Sequence, residues 1–103
     1  MIEYPTDEEL KRIAAWPIQC SADIMTLLDL VKRLWNWPDR GWAECGNFLH
    51  LSTGGWSGNE ELINALRDNF IFWSLCWQSV RRGGHYVFEV PEFPKKEEPH
   101  EQR

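Results

Sequence analysis

Between Leu51 and Leu62 the chain reads Leu-Ser-Thr-Gly-Gly-Trp-Ser-Gly-Asn-Glu-Glu-Leu, a glycine-rich loop that runs into a helix start. Gly54, Gly55 and Gly58 would let the backbone approach a ligand closely, and the N–H groups of a first helical turn favour negative charge. Ser57 stands three residues before Glu60, the spacing of a capping box. Thr53, Gly54, Gly55, Trp56, Ser57, Gly58 and Asn59 therefore make the first candidate site, with backbone donors cradling a phosphate or carboxylate and Trp56 stacking on a ring. The plainer alternative is a well-made strand-to-helix connection that carries a surface tryptophan. The spacing matches neither the P-loop, which ends in Gly-Lys-Ser/Thr, nor GxGxxG. An indole flanked by glycines gains little from local burial, which favours an external partner.

A second constellation is Arg81-Arg82-Gly83-Gly84-His85-Tyr86. Two guanidiniums at a hairpin tip can take a phosphate or carboxylate bidentately, with His85 donating and Tyr86 stacking. The plainer reading is solvated charge at an exposed turn that protects the hairpin edges. If the last strand pairs beside the strand that precedes the glycine loop, the two constellations converge at one end of the sheet. Other chemistry finds less support. His50 and His85, even with Cys45 or Glu44, lack the close spacing of a metal site. Ser52, Thr53 and Ser57 lie outside any GxSxG frame and have no evident base beyond the two histidines. No cofactor motif is present. Cys76, inside an apolar run, reads as a core residue.

These residues need elements to hold them. Thr6-Asp-Glu-Glu9 is a capping box that predicts a helix from Asp7 to about Trp16, bounded by Pro5 and Pro17. Ser21 can cap a second helix to about Trp35, where Ile24, Leu27, Leu28, Val31, Leu34 and Trp35 keep helical spacing. Pro38-Asp39-Arg40-Gly41 is turn chemistry. Residues 47–53 alternate as a strand, with Phe48, His50 and Ser52 on one face and Leu49, Leu51 and Thr53 on the other. A third helix follows from about Gly58 to Asp68, and Asn69 stops it. Phe70 to Val80 is apolar at nearly every position. Its Phe and Trp content, and the hairpin after it, predict a strand covered on both faces. Gly83 and Gly84 supply the hairpin's positive φ, and residues 85–90 alternate again, Tyr86, Phe88 and Val90 against His85, Val87 and Glu89. The expected architecture is α+β, in the order α-α-β-α-β-β. It has two N-terminal helices and a three-stranded antiparallel sheet, with one helix between its first and second strands. Residues 1–90 would form one domain, and the polar, proline-broken residues 91–103 a disordered tail.

Seven tryptophans in 103 residues are the compositional outlier. A core this small cannot satisfy every indole N–H, so some should line a groove or interface. Trp35 and Trp73 read as core, whereas Trp37 and Trp42 flank the Pro38–Gly41 turn, where aromatics serve interfaces. Of the net charge of −5, most falls in residues 1–30, which hold six acids and two bases. No basic face is dense enough for free duplex nucleic acid. The acidic N-terminus lacks the order of an export signal, no apolar run is long enough to span a membrane, and three widely spaced cysteines fit a reducing cytoplasm.

The segments Thr53-Gly-Gly-Trp-Ser-Gly-Asn-Glu60, Phe72-Trp73 and Arg81-Arg-Gly-Gly-His-Tyr86 resemble a family of small proteins of tailed bacteriophages. The Tyr-Pro-Thr-Asp-Glu-Glu-Leu start at residues 4–10 and the Trp-x-Trp-Pro-Asp segment at residues 35–39 extend that likeness over most of residues 4–90. The resemblance implies a phage origin and a bacterial host cytoplasm, and it transfers no catalytic residue. In that setting the leading expectation is a non-catalytic accessory module, with a role against host defence. It would capture a small anionic ligand such as a nucleotide between the glycine loop and the hairpin. The alternative is a protein that blocks a host factor through Asp7, Glu8, Glu9 and exposed tryptophans such as Trp37. A phosphodiester hydrolase using His50 or His85 as general base ranks third.

Overall fold

The structure, a computed structural model, describes residues 4–92. At its start the local chemistry of the sequence operates as expected. Thr6 Oγ1 accepts from the Glu9 N–H at 3.1 Å and Glu9 Oε1 accepts from the Thr6 N–H at 2.8 Å, a complete capping box that opens α1 (Asp7–Ala14). Trp16 lies beyond the helix end, its Nε1 donating to Asp23 O at 3.1 Å. The second helix, α2 (Ser21–Leu34), buries Ile24, Leu27, Leu28, Leu30 and Val31. Its N-cap is Cys20, not Ser21, whose hydroxyl instead donates to Pro91 O at 2.6 Å. The Pro38–Gly41 turn closes into one helical turn, α3 (Pro38–Gly41).

The sheet has four antiparallel strands rather than three, β1 (Trp42–Cys45), β2 (Phe48–Ser52), β3 (Trp77–Arg81) and β4 (His85–Glu89), in the order β1-β2-β4-β3. Trp-Ala-Glu-Cys carries no alternation to announce β1, which exists by pairing Trp42 with Leu51 and Cys45 with Phe48. The alternation of β2 and β4 resolves as expected. Leu49, Leu51 and Phe88 are buried beneath the helices, while Phe48, His50 and His85 are exposed on the other face.

Between β2 and β3 stand two helices instead of one, α4 (Ser57–Asp68) and α5 (Phe70–Cys76). The strand expected over Phe70 to Val80 therefore begins only at Trp77. Asn69 explains the difference, because it both ends α4 and starts α5. Its Oδ1 accepts from the Phe72 N–H at 3.1 Å, a side-chain N-cap. Its buried Nδ2 donates to Ile13 O at 3.0 Å and Trp16 O at 3.1 Å, which ties the start of α5 to the end of α1. Helical spacing then buries Phe72 and Cys76 together, with Phe72 against Phe88 at 5.3 Å between ring centroids. One core results, shared by all the longer helices and the covered face of the sheet. Among the described residues no helix is long and apolar enough to cross a membrane. Of the tail expected over residues 91–103, positions 93–103 lie outside the described residues.

Candidate functional site

Thr53 extends the inward side of β2 and joins the two constellations. Its N–H donates to Gly84 O at 3.1 Å, so the glycine loop and the hairpin turn meet at one end of the sheet. A Cβ on Gly84 would run into Thr53 Oγ1, which is why glycine stands there. Thr53 O then accepts from the Trp56 N–H at 3.0 Å, closing a turn whose central residues, Gly54 and Gly55, have φ of +64° and +73°. Two positive φ values in succession are the I′ geometry that favours glycine at both places.

The capping box expected at Ser57 and Glu60 does not form. The N-cap of α4 is Trp56, without a side-chain cap bond. Ser57 Oγ reaches Tyr4 Oη at 3.3 Å, and Glu60 Oε2 accepts from Thr53 Oγ1 at 3.4 Å. Glu60 thereby sets a carboxylate against the first turn of α4 and complements its dipole. The cation available to an anionic ligand must come from elsewhere.

Trp56 is half-buried rather than presented alone. Its ring lies between Tyr4 and Trp37, each with centroids 5.5 Å away, and Trp37 meets it edge-on at 75°. Gly58 accommodates it, since a Cβ there would stand 3.1 Å from Trp56 Nε1. That Nε1 is buried with no hydrogen-bond partner among the described residues.

The exposed indole of this cluster is Trp37, at 51% exposure, and its backbone is left-handed with φ 59° and ψ 57°. Such a conformation costs a non-glycine residue about 1–3 kcal/mol, and the following Pro38 restricts the position further. Buried Asn59, only 1% exposed, holds it there. Asn59 Oδ1 accepts from the Asn36 N–H at 2.9 Å, and Nδ2 donates to Asn36 O at 3.1 Å and to Thr53 O at 3.4 Å. One carboxamide thus binds both main-chain groups of the residue before Trp37 and the first carbonyl of the glycine loop. On the far side Trp37 O accepts from the N–H groups of Arg40 and Gly41 at 3.0 and 3.1 Å.

The result is a cleft of about 470 Å³ between the Trp37 turn and the glycine loop, lined by Trp37, Arg40, Gly41, Thr53, Gly54, Trp56 and the Asn36–Asn59 pair. Arg40, absent from the candidates read in sequence, supplies the guanidinium on this side. Its signal was its place in Trp-Pro-Asp-Arg-Gly-Trp, between two tryptophans that themselves pointed to an interface.

The hairpin residues divide. On the open face of the sheet, register sets Ser52 of β2, His85 of β4 and Arg81 of β3 in one row. Ser52 Oγ and His85 Nδ1 are 2.5 Å apart, and with His50 and Val87 they line a second cleft of about 360 Å³. Ser52 borders both clefts. Tyr86 borders that cleft too, but its ring packs against Trp73 and Phe88, whose side of the sheet is opposite that of His85. Arg82 is exposed in the turn. Among the described residues no three His, Cys, Asp or Glu side chains gather as a metal site. Burial pushes the Cys76 thiol up to about 12, far from a reactive thiolate. No protein-family model, curated protein or solved structure matches the chain.

Proposed function

We propose that this chain is a non-catalytic module that binds a nucleotide in the cleft between the Trp37 turn and the glycine loop. The observation that carries the reading is the strained, exposed Trp37, held by Asn59 across from Gly54 and beside Arg40. Strain of this kind persists only where surrounding bonds enforce it, and it is concentrated at ligand clamps. The base stacks on Trp37, a contact worth roughly 1–3 kcal/mol. Arg40 takes the phosphate, and the exposed backbone at Gly54 admits it closely. Arg81 and His85, across Ser52, offer a further anionic contact. In the phage setting that the sequence resembles, such a module sequesters a nucleotide signal in the host cytoplasm and so counters host defence.

A thermal-shift screen with mono-, di- and cyclic nucleotides tests the reading, because a ligand that binds only the folded chain must stabilise it. At one hundred times its Kd, a nucleotide adds about 2.7 kcal/mol, and Trp37→Ala or Arg40→Ala removes that gain. A melting transition that no nucleotide moves overturns the proposal.

A further inference from the structure

Among the described residues nine large hydrophobic side chains are exposed, and five of them, Phe70, Ile71, Leu75, Trp77 and Val80, fall in the twelve residues of α5 and β3. Phe70 is the extreme at 78% exposure. Trp77 pairs with Phe88 and Val80 with Tyr86, both of which face the helices, so Trp77 and Val80 emerge on the α5 side of the sheet edge. The strand β3 is itself an edge. Weighted by exposure, the five side chains present on the order of 500 Å² of apolar surface, near the upper end for the largest patch on a monomer.

We propose that two copies of this chain associate about a two-fold axis through the outer face of α5 and the β3 edge. Three features select a second copy. Asn69 through Val80 contains no charged residue, so a contact that sets each group near its own copy meets no repulsion. The charge-free, aromatic-rich composition is that of a homodimer interface core. Doubled across the axis and completed by a polar rim, the patch approaches the roughly 1,200–2,000 Å² of a stable interface. A partner that adds a strand fits less well, because the register shift between Trp77 and Ser79 interrupts the edge.

Sedimentation velocity on the full chain, from micromolar to submillimolar concentration, tests the proposal. The expected species has twice the 12.2 kDa of one chain at the upper concentrations. Phe70→Glu, at a side chain that packs little within its own chain, and Leu75→Lys each return the monomer with an unchanged far-ultraviolet spectrum. Phe48→Lys, on the open face of β2, leaves the dimer intact. A monomer throughout the range overturns the proposal, as does a dimer that survives Phe70→Glu. Neither result bears on nucleotide binding, which uses residues of the other constellation.

Discussion

Replacing Asn59 by alanine should destabilise the chain more than any other single polar substitution at the site. The side chain makes three hydrogen bonds, at 2.9, 3.1 and 3.4 Å, and is almost fully buried. Each bond contributes about 1 kcal/mol, and a buried main-chain group that loses its partner costs about 1–3 kcal/mol. Release of the Trp37 turn from its left-handed backbone returns about 1 kcal/mol. The net loss is therefore about 2–4 kcal/mol, a fall in Tm of roughly 10–25 °C for a domain of this size. Circular dichroism during heating measures it. Tryptophan fluorescence reports the second consequence, loss of the edge contact between Trp37 and Trp56. Asn64→Ala on the same helix is the control, since Asn64 is exposed and its side chain's hydrogen bond is to an exposed partner, the Arg67 guanidinium at 3.3 Å. Asn59→Asp keeps an acceptor for the Asn36 N–H but turns a carboxylate oxygen toward two carbonyls, and should lose at least as much. If Asn59→Ala melts within the small shift of Asn64→Ala, the carboxamide is not what holds the Trp37 turn.

Gly83→Ala and Gly84→Ala both force a side chain onto positive φ, at about 1 kcal/mol. Only the Cβ of Gly84 meets Thr53, so urea unfolding should show Gly84→Ala less stable by at least about 2 kcal/mol more. In the native chain a thiol reagent should modify exposed Cys45 and leave Cys76 until unfolding. Because the folded Cys76 thiol holds its proton to about 12 and the unfolded one loses it from about 9, stability is complete below pH 9. It then falls by about 1 kcal/mol per pH unit toward pH 12, an alkaline loss that Cys76→Ala should remove. Trp56→Phe keeps a ring between Tyr4 and Trp37 and removes a buried N–H without an acceptor. Denaturant melts should place it within about 1 kcal/mol of the parent, and Trp56→Ala about 2–3 kcal/mol below.

What the amino-acid sequence determined by itself lies within a few residues or within one repeat of a strand. The Thr6–Glu9 capping box closes over three residues, and period-two alternation set the faces of β2 and β4 before any partner was known. The hairpin followed from two glycines, whereas the convergence of glycine loop and hairpin was conditional on a pairing, β4 with β2, that the tertiary structure supplied. The apolar run from Phe70 to Val80 could not declare itself, since a side chain at every position satisfies both periods. Its helical half is settled by Asn69 reaching Ile13 and Trp16, more than fifty residues away in sequence. The strand β1 has no pattern of its own and exists only by pairing with β2. The Ser57–Glu60 spacing was a genuine local option that lost to tertiary partners, Tyr4 for the serine and Thr53 for the glutamate. The cleft is likewise tertiary. Trp37 and Arg40 join the glycine loop because Asn59, buried on α4, binds the main chain of Asn36 twenty-three residues earlier. A short motif cannot encode that geometry, because its energy resides in a side chain that pairs only once both segments have folded.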